Sequence, residues 1–292
     1  MLSSGHNSDE RGQSVGSDSV PGREEALIRL LVDDAPNVRN AVRAELAKGD
    51  ERTFSALEAA SIHGEPQLRA RARQLLGELS REQGYRQLNA LFRRPQFDLE
   101  EGLAAIDRLL GHSPEHIAPA LEAFAARVRA HLRERSNTAD AAEALRVVLG
   151  ENGGFLGPTD DYHHVDHVSL RRTLAARRGL PLTLCALYAA VARRAGFEAG
   201  LLPFPGHVLL GLGTKRDFVV VDPFVGGESV SMNACHLRLA ALGAPPSPRW
   251  LLPAPDRDMV VRQVRNLSAA MERHGRRRDT QRLRRILDAA VR

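Results

Sequence analysis

The stretch from Gly179 to Asp222 constrains the fold more than any other part of the chain, because an apolar helical pattern runs there straight into short β-rich segments. Gly179 breaks a preceding helical pattern over 169–178. Pro181 then opens a new helix that extends to Gly196, a Pro-first, Gly-last punctuation suited to a helix. After Gly196 the texture changes. AGLLPF (199–204), HVLLGL (207–212) and FVVVDPF (218–224) are short, bounded by Gly, Pro and charged turns, and joined by TKRD (214–217) as a hairpin connection. A small antiparallel sheet packed on a central helix follows, with His207 on the first hairpin strand and Asp222 at the end of the next.

The flanks read as helix. Residues 1–22 are Gly, Ser, Asp and other polar residues without periodicity, so they are expected to form a disordered tail. Apolar spacing starts at Ala26, Leu27, Leu30 and Leu31. APNVRNAVRAEL (35–46) and EPQLRARARQLL (65–76) then echo each other, each with Pro at a helix start, and ERTFSALEAAS (51–61) lies between them. This resembles a pair of HEAT-type helical hairpins, and a plain helical extension fits equally. Further helices are expected at 98–110, 115–134 and 138–150, followed by a Gly- and Pro-rich loop (153–164), and then at 231–242, 256–274 and 277–291, the last two as a hairpin. The expected division is a tail at 1–22, a helical module at 23–84, an α+β domain at 85–255 and a C-terminal helical hairpin at 256–292.

Composition excludes several classes. Of 292 residues, 43% are hydrophobic and 26% charged, which is ordinary globular usage. No apolar run approaches the roughly 20 residues that span a bilayer, and the amino terminus lacks the apolar block of a signal peptide, so no membrane association and a cytoplasmic location are expected. The net charge of +5 comes almost wholly from arginines spread along helices, which argues against a nucleic-acid partner. The cluster Arg276, Arg277, Arg278, Arg282, Arg284 and Arg285 reads as a solvated helix face or as a surface for an acidic partner. Cys185 and Cys235 are too few for a disulfide scaffold or a four-ligand zinc site.

A helix followed by strands carrying His and Asp can assemble a nucleophilic site. The helix dipole activates a thiol, the His takes its proton and the Asp orients the His. GLPLTLCALYAAVARRAG (179–196), FPGHVLL (204–210) and VVVDPFVGG (219–227) carry these parts. DDYHHVDHVSL (160–170) precedes them and VRQVRNLSAAM (261–271) follows. In that order they resemble the SirB-type branch of the transglutaminase-like superfamily, over roughly residues 85–290. The resemblance implies an α+β, papain-like core and a cleft built on His207 and Asp222. It also implies that Pro181 stands where catalytic relatives carry the nucleophilic Cys, a Gly-x-Pro departure shared by the branch.

Cys185, one turn further on, is then either a displaced nucleophile or a packed core residue among Leu182, Leu184, Leu187, Tyr188 and Val191. Singly, His207 and Asp222 suit a strand cap and a turn; together they suit a retained hydrogen-bonded pair, with Pro181, Tyr162, Phe204, Pro205 and Phe224 lining the cleft. The cluster Tyr162, His163, His164, Asp166 and His167 lies one residue from a dinuclear metallohydrolase pattern, so His163, His164, Asp166 and His167 are candidate ligands, while a polar loop at the cleft mouth is the alternative. No cofactor is expected. The reading is a binding or regulatory protein with a degenerate cleft and a protein or peptide partner. Its rivals are a cysteine-dependent acyl transferase or amide hydrolase using Cys185, His207 and Asp222, and a metal-dependent hydrolase.

Overall fold

The computed structural model describes residues 22–49, 51–244 and 247–290, so the expected tail lies outside the described residues except for Gly22. The chain divides into two compact units, one ending at Leu76 and one starting at Gly77. That division falls before the boundary expected at 84–85, because a single helix runs through both positions.

The first unit consists of helices α1 (Arg23–Arg29), α2 (Pro36–Leu46), α3 (Glu51–His63) and the start of α4 (Pro66–Phe92). Leu31, Val42, Leu46, Leu57, Ala72 and Leu75 are buried. The sequence echo has a structural counterpart. Three residues after its opening Pro, each of α2 and α4 carries an arginine that reaches back to the chain before the helix. Arg39 donates to the carbonyls of Asp33 and Asp34 at 2.6 and 2.8 Å, and Arg69 donates to that of Gly64 at 3.0 Å.

The second unit is α+β. Helices α5 (Leu99–Leu109), α6 (Ile117–His131), α7 (Thr138–Leu145), α8 (Leu170–Ala176) and α9 (Pro181–Arg194) precede four strands, β1 (Ala199–Leu202), β2 (Leu209–Thr214), β3 (Asp217–Asp222) and β4 (Glu228–Ser229). Helix α10 (Met232–Ala241) follows, and α11 (Asp256–Arg273) and α12 (Arg277–Ala290) pack on each other as the expected C-terminal hairpin. No helix among the described residues is long and apolar enough to cross a membrane.

Helix α9 is buried from Pro181 to Ala192, as a helix that is apolar all round must be. Around it stand α6, the first two strands and the turn after β3. The sheet is antiparallel in the order β1-β2-β3-β4, with Leu201 opposite Leu210 and Leu210 opposite Val221. Leu201, Leu210, Leu212 and Val221 join the main core with α9, whereas Leu202, Leu209 and Val220 join Phe204, Cys235 and Leu239 in a smaller cluster on the other face. Both faces are covered, so these strands are continuous apolar runs instead of alternating ones. Helix α7 starts with a capping box of Asn137 and Asp140 and runs on as a π-helical turn over 146–151.

Two expected boundaries move. The helix expected over 169–178 ends at Ala176 because Arg177 turns left-handed, at a φ of 61°. His207 is not on a strand: Pro205 and Gly206 turn the chain first, Gly206 at a φ of 70°, and β2 starts two residues after His207. Among the C-terminal arginines, Arg276 is paired to Asp279, Arg282 to Glu82 and Arg284 to Glu272, mostly exposed pairs of small energetic weight.

Candidate functional site

Three separate chain segments meet at the start of α9, and each is held by bonds inside the second unit. Pro181 occupies the first helical position, where its missing N–H costs nothing, and no side chain caps the helix. Gln263 of α11 secures the first turn instead. Its fully buried amide donates to the Thr183 hydroxyl at 2.7 Å and to the Val168 carbonyl at 2.9 Å, and Thr183 donates in turn to the His167 carbonyl at 2.8 Å. The Leu180 amide bonds to that same carbonyl at 3.0 Å. A buried polar network of this kind is costly unless each member is satisfied, and here its satisfied bonds tie α9, α11 and the loop before α8 together.

His207 sits at the end of the Pro205–Gly206 turn, with its backbone carbonyl held by Arg262 of α11 at 2.9 Å. Its Nε2 lies 3.0 and 3.1 Å from the two carboxylate oxygens of Asp222, and its ring stands edge-on to Phe224, 5.6 Å between centroids. Asp222 ends β3 with its side chain 3% exposed. It also accepts the Phe224 amide at 3.1 Å and Arg238 at 3.3 Å. Burial alone would raise this carboxyl's pKa; the His207 hydrogen bond and charge, the Phe224 amide and Arg238 outweigh it and hold the pKa below the ordinary value. Behind the pair, Gly227 is left-handed at a φ of 88° and closes the turn by donating to the Asp222 carbonyl at 3.0 Å. A Cβ there would meet the Tyr188 ring at 2.9 Å, so only glycine fits.

Cys185 lies on the same helix but not in the same chemistry. It is fully buried, and its thiol donates to the Val208 carbonyl at 3.3 Å. Burial, reinforced by the negative charge of Asp222, pushes its pKa well above the ordinary thiol value, and Arg262 opposes this only in part. Burial of that kind disfavours the thiolate, the nucleophilic form of cysteine. Tyr188, three residues on, is also buried, and its hydroxyl has no hydrogen-bond partner among the described residues.

The expected lining residues divide. Tyr162 stacks toward Phe224, 6.2 Å between centroids, so Tyr162, Phe224 and His207 form a ring-lined wall, and Leu156 and Val225 beside it are exposed. Pro205 is part of the turn that presents His207. Phe204 faces away into the smaller core cluster at 1% exposure, and buried Pro181 supports the helix end.

The His-rich loop is similarly sorted. His163 packs on Tyr162, Asp166 is paired with Arg172 at 2.8–2.9 Å, and the Nδ1 of His167 is buried without a partner among the described residues. Of the four candidate ligands, only His164 falls into a group with metal-ligand spacing, together with Asp161 and His274. Sequence reasoning missed Asp161, His274, Arg238, Arg262 and Gln263. The last two lie within the quoted VRQVRN motif, where the readable signal was Gln263 standing among the apolar positions Val260, Val264 and Leu267. It also missed Asp107, a fully buried carboxylate that accepts the Ser169 hydroxyl and, at 3.1 Å, the Arg171 amide, and so anchors the capped start of α8.

Comparison with known proteins follows the same lines. The model of a transglutaminase-like superfamily domain matches residues 115–265. A UPF0162 protein of Xylella fastidiosa (strain Temecula1) is 34% identical over 132 residues, which are 42% of this chain and 46% of that protein. F-box only protein 21 of Mus musculus is 28% identical over 102 residues, 32% of this chain and 16% of that protein, and the Homo sapiens protein is 25% identical over 122 residues, 39% and 19% respectively. The matched stretch therefore spans less than half the length of these curated relatives. No solved structure matches the chain.

Proposed function

The chain belongs to the transglutaminase-like superfamily, and from that premise we propose that it is a binding or regulatory protein whose cleft holds a protein or peptide segment without a cysteine nucleophile. One observation carries the reading: Pro181 stands at the helix start, and the nearest thiol, Cys185, is sealed in the core with its pKa raised. The retained pair of His207 and Asp222 serves as a polar anchor for a ligand. The ring wall of Tyr162 and Phe224, with exposed Leu156 and Val225, supplies apolar contact of the sort that peptide side chains fill. The Gly-x-Pro opening of α9 supports placement in the SirB-type branch, and the paired arginine returns of α2 and α4 support a HEAT-like reading of the first unit.

Selection of a displayed peptide library on the full chain tests this reading. Binders lost in Phe224→Ala and in the exposed-site variant Tyr162→Ala, and kept in His163→Gln, are the expected outcome. The reading is overturned if no binder depends on those side chains, or if the wild type hydrolyses or deamidates bound peptides and Cys185→Ser does not.

A further inference from the structure

Away from the His207–Asp222 pair, the loop before α8 meets the C-terminal end of α11 through three exposed side chains. One oxygen or nitrogen of each of Asp161, His164 and His274 lies within 4.8 Å of the others. We propose that these three residues form a divalent transition-metal site of the Zn²⁺ class, which fastens the loop at the cleft mouth to the end of α11.

The donor set fits that class. Two imidazoles and one carboxylate are borderline ligands that suit Zn²⁺ or its neighbours and not Ca²⁺ or Mg²⁺, which take oxygens. Three protein ligands leave a fourth position to water. In a tetrahedral site with bonds of about 2.0–2.1 Å the donor atoms stand about 3.4 Å apart, so exposed side chains reach it by small rotamer adjustments. The loop places its two ligands together because it folds as a turn, the His164 amide donating to the Asp161 carbonyl at 2.9 Å.

His274 is prepared for ligation by its surroundings. Its Nδ1 bonds the Ala270 carbonyl at 2.8 Å, which fixes the proton on Nδ1 and leaves the Nε2 lone pair free, the arrangement that orients histidine ligands in metal sites. As the C-cap residue of an 18-residue helix it also stands at the negative end of the helix dipole, where a cation is favoured. The His164 ring is 5.6 Å from that of His274, edge to face. Its Nδ1 meets the Asp166 amide at a long 3.2 Å, so ligation through that nitrogen gives up one weak hydrogen bond. His163, Asp166 and His167 stay outside the group: His163 packs on Tyr162, Asp166 is paired with Arg172, and the Nδ1 of His167 is buried.

Titration of the tag-free, chelator-stripped full chain with Zn²⁺ alone, read by calorimetry and by thermal melting, tests the site. One ion per chain is expected, with a rise in Tm. Affinity falls about tenfold or more in His274→Gln and in Asp161→Asn, and is unchanged in His163→Gln. Asp161→Asn guards against a folding artefact, because Asn tolerates the φ of 32° at that position while losing the charge. Stoichiometry well below one, or equal weakening in His163→Gln and His274→Gln, would overturn the proposal as diffuse histidine binding.

Discussion

The end of the sheet and the start of α9 present opposite chemistry. On the sheet side, a nearly buried carboxylate is satisfied by a histidine, a backbone amide and an arginine, a complete polar cluster in which each donor has a purpose. On the helix side, the first two turns of α9 offer a proline, leucines and a thiol bonded to a carbonyl, and among the described residues the polar contacts there are those that hold the helix in place. Apolar packing dominates the helix side, and hydrogen bonding and charge dominate the sheet side. The difference teaches that the His–Asp pair is held by its own bonding: Asp222 is nearly buried, so removing His207 takes away one of the partners that compensate its charge.

The largest effect should come from breaking the sheet side. Asp222→Ala leaves His207, Arg238 and the Phe224 amide without their shared acceptor and should cost about 3 kcal/mol in urea unfolding. Asp222→Asn, which keeps the shape, should cost less. The sign of the pH dependence is fixed by the depressed carboxyl pKa. The unfolded group ionises at about 3.9, so the stability Asp222 contributes is present above that pH and disappears as pH falls through the lower folded value. Wild type and Asp222→Asn should therefore converge on acidification; a constant gap would show that charge plays no part.

A smaller effect tests the helix side. Iodoacetamide at neutral pH should label Cys185 more slowly than a free model thiol. Pro181→Cys, which places a thiol at the uncapped helix start, should label about tenfold faster than Cys185. Equal rates at the two positions would mean that the start of α9 is closed to reagents as fully as Cys185 is.

A third effect, read as a slope against pH, concerns Asp107, the buried anchor of α8, whose carboxyl is raised to about 7 chiefly by burial, against the Ser169 and Arg171 hydrogen bonds. Here the native state holds the proton more tightly than the unfolded chain. Its contribution is full below about pH 4 and is lost as pH rises to about 7. Asp107→Asn should flatten the stability profile across that window, and an unchanged slope would assign the titration elsewhere.

How much of this was legible in the sequence varied with the separation of the residues. His207 and Asp222 could be paired in advance because their motifs stand in the order of the family the chain resembles, and because the segments beside them, β2 and β3, are neighbours in sequence and in space. Arg262 and Gln263 could not, because helical periodicity shows that a residue faces inward without saying which loop it meets. Phe204 was misplaced for a related reason: strand alternation gives two faces but not which one fronts the cleft, and residues beyond the strand end follow the turn and not the pleat. His163, His164, Asp166 and His167 were adjacent in sequence, yet a turn of loop sends adjacent side chains apart.

By itself the sequence determined the α+β class, the apolar helix entering a sheet, the helical hairpin at the end and the absence of a cysteine at the helix start. All of these rest on local periodicity, punctuation by Gly and Pro, and residue identity, which the chain carries without its partners. Tertiary structure alone decided that Cys185 is sealed, that Gln263 and Arg262 brace the start of α9 and the His207 turn from α11, and that Asp161 and His164 meet His274. Those facts depend on desolvation and on contacts between distant segments, and both come into being only when the core closes.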